Sequence, residues 1–378
     1  MAYSEQTVLQ AVLALGALHE SEERKGMPIT KERLNDTNHV SAYGHYNAAI
    51  RLLRARARQE GEDIRLITLT VCLIFIHIEL LRGRYESAAT HLKSGLDILS
   101  RSNVYSTLHR RADLSTIEGQ LALSFTRLDV QTPAFMVGGP FLTYNVEDID
   151  FDKNIQDHNF PRDVSVIKRK SDILIGSSLQ LYFMSKEHRK ADKELHTKET
   201  LARQKTLLEY NCQYMKTVES LSAPSKLSVS SEAPVYYQEY QSLSLLRLHL
   251  LTTRILLSAC LAPDKELAYD KHLSEFKTVV SIAEDFTAGL KSITRKNAAI
   301  PSFSTDLGII SPLFVTALSC RDTETRYKAL SILDSWPHQE GFWCSSLALT
   351  GAQQVVKIEE EVNNARFFIS YKRFHSRS

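Results

Sequence analysis

LITLTVCLIFIHIELLRGRYESAATHLKSGLDILS, residues 66–100, reads as two helices joined by a glycine turn. Its first half is apolar almost throughout and too long for a single strand. It stops at Gly83, where a glycine just past the last periodic residue is a helix-ending signal. The second half places Tyr85, Ala88, Leu92, Leu96 and Leu99 at spacings of three and four, one face of a helix. The window Leu66–Leu81 is shorter than the roughly 20 residues a bilayer requires, and it contains Thr68, Thr70, His77 and Glu79. It is expected to be a buried helix, and no contact with a membrane is expected.

Upstream, Val8, Val12 and Leu15, broadened by Leu9, Leu13 and Leu18, mark an earlier helix that ends before Pro28. Thr37 or Asn38 can cap the next, which buries Ala42, Tyr46, Ala49, Ile50 and Leu53. Tyr46, Ala49 and Leu53 recur 39 positions later as Tyr85, Ala88 and Leu92, the arrangement by which small residues let stacked helical hairpins approach closely. Downstream, a helix over about 115–129 is followed by a long stretch rich in Pro, Gly and acids, a length that marks a lid, a binding loop or disorder. Helices resume over 164–188 and 195–221, and the Ser/Pro-rich run SAPSKLSVSSEAP separates them from five further segments of helical period, over 236–261, 267–290, 307–320, 323–335 and 342 to about 368. The expected organisation is an N-terminal helical region 1–130, a long loop 131–163, middle helices 164–222, a break 223–234 and a C-terminal helical region 235–378. These are expected to fuse into one body. No segment alternates as a strand does, so the fold class is all-α: a large multi-helix body with helical-hairpin packing and no significant β-sheet.

Composition agrees. The 378 residues include 14 glycines and 10 prolines, about half of average usage, so breakers are few and helices long. Lys plus Arg number 46 against 44 Asp plus Glu, which gives no global field for nucleic acid or an anionic membrane. Cys72, Cys212, Cys260, Cys320 and Cys344 are odd in number and far apart, the pattern of reduced thiols and neither a disulfide framework nor a zinc site. The stretch MAYSEQTVLQ lacks the basic region and short apolar run of a secretory signal, so none is expected.

Two blocks resemble the fungal-specific transcription factor domain, the helical region that follows a zinc-cluster DNA-binding motif in many fungal regulators. The first is the helix pair above, followed by LSFTRLDVQ at 123–131. The second spans 306–361, in which Leu307-Gly308-Ile309-Ile310, Pro312-Leu313-Phe314, Cys320-Arg321, Ala329-Leu330, Glu340-Gly341 and Trp343 stand in family order. AVLALGALHE near the start also matches, so the resemblance covers most of the chain. It implies a regulator of gene expression, placed in the nucleus with the cytoplasm as the alternative, that acts through a partner factor or a small effector. The six closely spaced cysteines that hold two zinc ions in such regulators are missing from these residues, so direct DNA binding is not expected. An enzyme or small-molecule binder of fungal specialised metabolism, built on the same helical body, is the alternative.

Motifs of catalysis are absent: there is no G-x-S-x-G, phosphate loop, dinucleotide fingerprint or H-E-x-x-H. The acids Glu147, Asp148, Asp150 and Asp152 fail the EF-hand pattern, since Lys153 and Asn159 stand where Gly and an acid belong. They read as a solvated loop. No metal site and no cofactor are expected. The candidate ligand-binding residues are His77, a polar ring on an apolar helix, with Arg127, Asp129, His249 and Trp343. Plainer readings stand beside them: His77 as a core histidine satisfied by one hydrogen bond, Arg127 and Asp129 as residues that pair across a turn or tether the long loop to the body, and Trp343 as core packing. Arg51, Arg54, Arg56 and Arg58, and Lys168-Arg169-Lys170, read as solvated helix faces.

Overall fold

The computed structural model describes residues 5–25, 37–56, 62–101, 116–135, 140–142, 144, 164–190, 197–222, 233–294 and 302–375. Among them are twelve α-helices: α1 Gln6–Lys25, α2 Thr37–Arg56, α3 Glu62–Leu81, α4 Tyr85–Ser100, α5 Ile117–Asp129, α6 Val164–Lys190, α7 Lys198–Ser222, α8 Ala233–Cys260, α9 Leu273–Thr294, α10 Ile310–Ser319, α11 Thr323–Ser335 and α12 Ser345–His375. The fold is all-α, with only three two-residue strands beside the helices among the described residues.

Helix α3 explains the layout. Leu69, Cys72, Ile76 and Leu80 join a large core that also draws on α4 to α12. Ile67, Val71, Phe75 and Ile78 join a second core with Val8, Ala11, Ala14 and Leu18 of α1 and Ala42 and Ala49 of α2. A helix buried on two sides must be apolar nearly all round, which is the pattern of its sequence. By length and composition alone, Asp63–Leu81 and Glu239–Cys260 are long and apolar enough to cross a membrane. The reading of the first as too short therefore does not hold by count, yet 56% and 72% of their windows are buried inside the fold.

The α3–α4 turn closes as read. Gly83 has φ 66°, its N–H donates to the Leu80 carbonyl, and the Arg84 N–H donates to Glu79. These two bonds satisfy carbonyls that the helix end would otherwise leave without donors. Helices α1 and α2 pack as one hairpin and α3 and α4 as another, with Ala49 and Ala88 fully buried at the repeated positions. The repeated tyrosines meet different rings: Tyr46 lies 4.2 Å from Phe75, and Tyr85 stacks 5.4 Å from Phe135.

One face was misassigned. In α1 the buried side is Val8, Ala11, Ala14 and Leu18, whereas Val12 and Leu13 are exposed. The small alanines bring α1 close to its neighbours, and that close approach turns the two larger residues toward solvent. The short strands β1 Phe303–Ser304, β2 Gln339–Glu340 and β3 Trp343–Cys344 form one sheet in the order β1-β2-β3. β1 runs parallel to β2, and β2 antiparallel to β3 through Gly341, φ 54°. All five cysteines are free thiols. Most of the Ser/Pro-rich break and most of the long loop, with Glu147, Asp148, Asp150 and Asp152, lie outside the described residues, as does Arg58.

Candidate functional site

Two residues apart on an α-helix point about 200° apart, so Arg127 and Asp129 of α5 cannot pair with each other. Thr116 starts that helix by accepting from the Gly119 N–H at 3.1 Å. At its far end Asp129, fully buried, turns toward the loop. It accepts from the Phe141 N–H at 2.8 Å, the Leu142 N–H at 3.0 Å and the Tyr144 hydroxyl at 3.1 Å. Burial pushes its carboxyl up to about 6, against the downward pull of these three donors. Asp129 is thus a tether for Phe141, Leu142 and Tyr144.

Arg127 turns the other way. Its Nε donates to Asp172 of α6 at 2.9 Å and its Nη1 to Asp306 at 2.9 Å, while Lys168 Nζ donates to the second oxygen of Asp306 at 2.9 Å. Burial pushes Asp172 upward although Arg127 pulls it back. For Asp306 the balance is reversed: burial raises it, but Arg127 and Lys168 hold it below the usual carboxylate range. Lys168 is therefore engaged in an ion pair and is not the solvated side chain its neighbours in sequence suggested.

These groups form one end of a cavity of about 500 Å³. Its walls come from α6 (Ile175), α8 (Leu245, Leu246), α9 (Phe286, Leu290) and the segment 303–308, with Trp336. Such a volume, mostly apolar with a few convergent polar groups, suits a small organic molecule. His249 of α8 lines it too. Burial holds that imidazole below its usual range, against Glu340 and hydrogen bonds to the backbone of Leu307 and Gly308, and its Nε2 has no hydrogen-bond partner among the described residues.

Behind the cavity, Glu340 performs an unusual task for a strand residue. Its Oε1 accepts from the Ile309 N–H at 2.8 Å, and its Oε2 accepts from Gly308 at 3.1 Å and Ile310 at 3.0 Å. A carboxylate thus takes the N–H groups of Gly308 and Ile309, just before α10, and of Ile310, its first residue, at a helix whose own N-cap, Ile309, has no capping side chain. Gly308 is required there, because a Cβ would lie 2.6 Å from the Glu340 carboxyl carbon. His338 holds Glu340 from the other side: Nε2 is 2.8 Å from Oε1, Nδ1 is 2.7 Å from the Trp336 carbonyl, and the ring stacks on Trp336 at 3.5 Å.

Of the five candidates read from sequence, the structure brings Arg127 and His249 to this cavity. Asp129 faces the loop. Trp343 packs its ring 4.9 Å from Phe135 and 5.3 Å from Phe314. His77 is buried in α3, but the expected single hydrogen bond is missing: neither ring nitrogen has a partner among the described residues. Instead its ring meets the Phe303 ring edge at 5.3 Å, and burial lowers it to about 4, so it is neutral. Asp172, Asp306 and His338 are not singled out in the sequence, where Lys168 reads only as part of a solvated face. One signal was present in WPHQEG, where His338 and Glu340 stand two apart beside a glycine and therefore share a strand face.

No curated protein and no solved structure matches the chain. The family model described as "Fungal specific transcription factor domain" matches residues 1–349. That span takes in both hairpins, the ion cluster, the cavity and the Glu340 cap of α10, and the chain accordingly belongs to the fungal-specific transcription factor domain family, with the transcription-regulator-like role that this membership carries.

Proposed function

We propose that this chain is the sensing body of a nuclear transcription regulator, in which a small organic effector enters the cavity between α6, α8 and α9 and alters what the body does to a partner factor. The observation that carries this reading is the cavity of about 500 Å³, placed inside the family-matched region and lined by both apolar walls and an ion cluster. Charged groups held at the edge of an apolar cavity cost desolvation, and they also give a bound molecule polar partners that fix its orientation. DNA contact is assigned to the partner, because the chain's charge is close to balanced. The test is a reporter assay in a fungal host with the full chain fused to a heterologous DNA-binding domain. Reporter output should change when small-molecule extracts of fungal cultures are added. Output that stays level with every extract and growth condition contradicts the proposal.

A further inference from the structure

At the polar end of the cavity, two cations from two helices hold one carboxylate that belongs to neither helix. Asp306 gives one oxygen to Arg127 of α5 and the other to Lys168 of α6, each at 2.9 Å. It stands on the short non-helical segment before α10, and its side chain is 39% exposed. Asp172, the other partner of Arg127, is built into α6 and only 14% exposed. Of the two anions, Asp172 is the fixed counter-ion and Asp306 the replaceable one. Glu340, the remaining acid at the cavity, is already committed to three N–H groups and His338.

Removing Asp306 from the cluster leaves Arg127 and Lys168 against Asp172 alone, one positive charge in excess beside Leu245, Leu246 and Phe286. An anion is then required, and a single charge in excess is matched by a carboxylate, whereas a phosphate monoester brings about −1.5 to −2. A neutral guest leaves the cluster as it is, and a cationic guest must take Asp306 from two cations at once. We infer that the cavity takes an apolar small molecule ending in a carboxylate, and that this carboxylate replaces Asp306 on Arg127 and Lys168. The inference rests on the effector reading above and names the chemistry of the effector.

Exchange would also carry a signal. Asp306 lies two residues after Ser304, whose carbonyl accepts from the Gly341 N–H at 2.8 Å, and β1 continues back through Phe303 and Ser302. Phe303 meets His77 of α3, and the Ser302 hydroxyl lies 3.2 Å from His19 Nε2 of α1. Releasing Asp306 would therefore act two residues from a strand that touches both N-terminal hairpins.

The experiment is calorimetric titration of the full chain with octanoate and with 1-octanol, in the wild type, Asp306→Asn and Lys168→Met. Asp306→Asn keeps the shape and removes the internal competitor, so octanoate should bind about tenfold tighter, with octanol unchanged. Lys168→Met should weaken octanoate about tenfold and again leave octanol unchanged. Unfolding midpoints of both variants within the wild-type transition establish that they are folded. If octanol and octanoate bind alike in all three proteins, the carboxylate exchange is overturned while the apolar cavity stands. If neither binds any of the three, the effector reading falls with it.

Discussion

Arg127 holds the ion cluster together from α5, contacting Asp172 and Asp306 with separate nitrogens. Arg127→Ala leaves Asp172 buried without its hydrogen-bond donor, and a loss of about 3–5 kcal/mol is expected in urea unfolding. Arg127→Lys, which keeps the charge but lacks the fork, should lose less. Asp129 offers a separate test by pH. Its folded-state value of about 6 lies above the ordinary 3.8, so it contributes stability that is fully present below about pH 4 and lost as pH rises through 6. The unfolding free energy of wild type minus that of Asp129→Asn should therefore fall by roughly 2–3 kcal/mol between pH 4 and pH 7. A flat or rising difference refutes the assignment. At this scale the sequence exposed some of the site. Arg127 and His249 could be singled out as polar groups among apolar neighbours. One partner of Arg127, however, is 179 residues away, and nothing local encodes that Asp306 folds back onto it.

Among the elements, the helices were legible because apolar spacing and sparse Gly and Pro act locally, and Gly83 ends α3 as its position suggested. The faces were less so, as α1 shows. Which side of a helix is buried depends on how closely its neighbours approach, and small residues decide that. Two-residue strands have no alternation to detect, so the sheet carrying His338 and Glu340 left no periodic trace. Two glycines separate packing from propensity. On α4, a Cβ at Gly95 would lie 2.5 Å from Phe125 Cζ, so Gly95→Ala should cost about 3 kcal/mol by forcing α4 from α5. On α2, Gly44 has nothing within 4 Å, and Gly44→Ala should stabilise by about 0.5–1 kcal/mol. Thermal or urea unfolding of the pair reads both signs. For α10, Glu340→Gln should cost about 1–2 kcal/mol, since a neutral oxygen caps the helix N-terminus less well. Glu340→Ala should cost more, because three buried N–H groups then lack an acceptor. Equal unfolding midpoints for Gln, Ala and wild type refute the cap.

For the whole molecule, the residues that carried the family resemblance turn out to be structural. Gly308, Ile309, Ile310 and Glu340 form the cap of α10, and Trp343 packs beside it in the core. The motif was legible because a cap needs fixed residue types. The cavity was not, because it is the space left where α6, α8, α9 and the segment 303–308 meet, and space has no sequence signature. The central claim is that regulation is exerted through that space. It is tested most directly by the reporter fusion carrying Leu245→Trp, which fills the cavity from α8, assayed beside the wild type with and without small-molecule extract. The expected result is a fusion with an unfolding midpoint near that of the wild type whose output no longer responds to extract. A Leu245→Trp fusion that stays folded and still responds in full would contradict it.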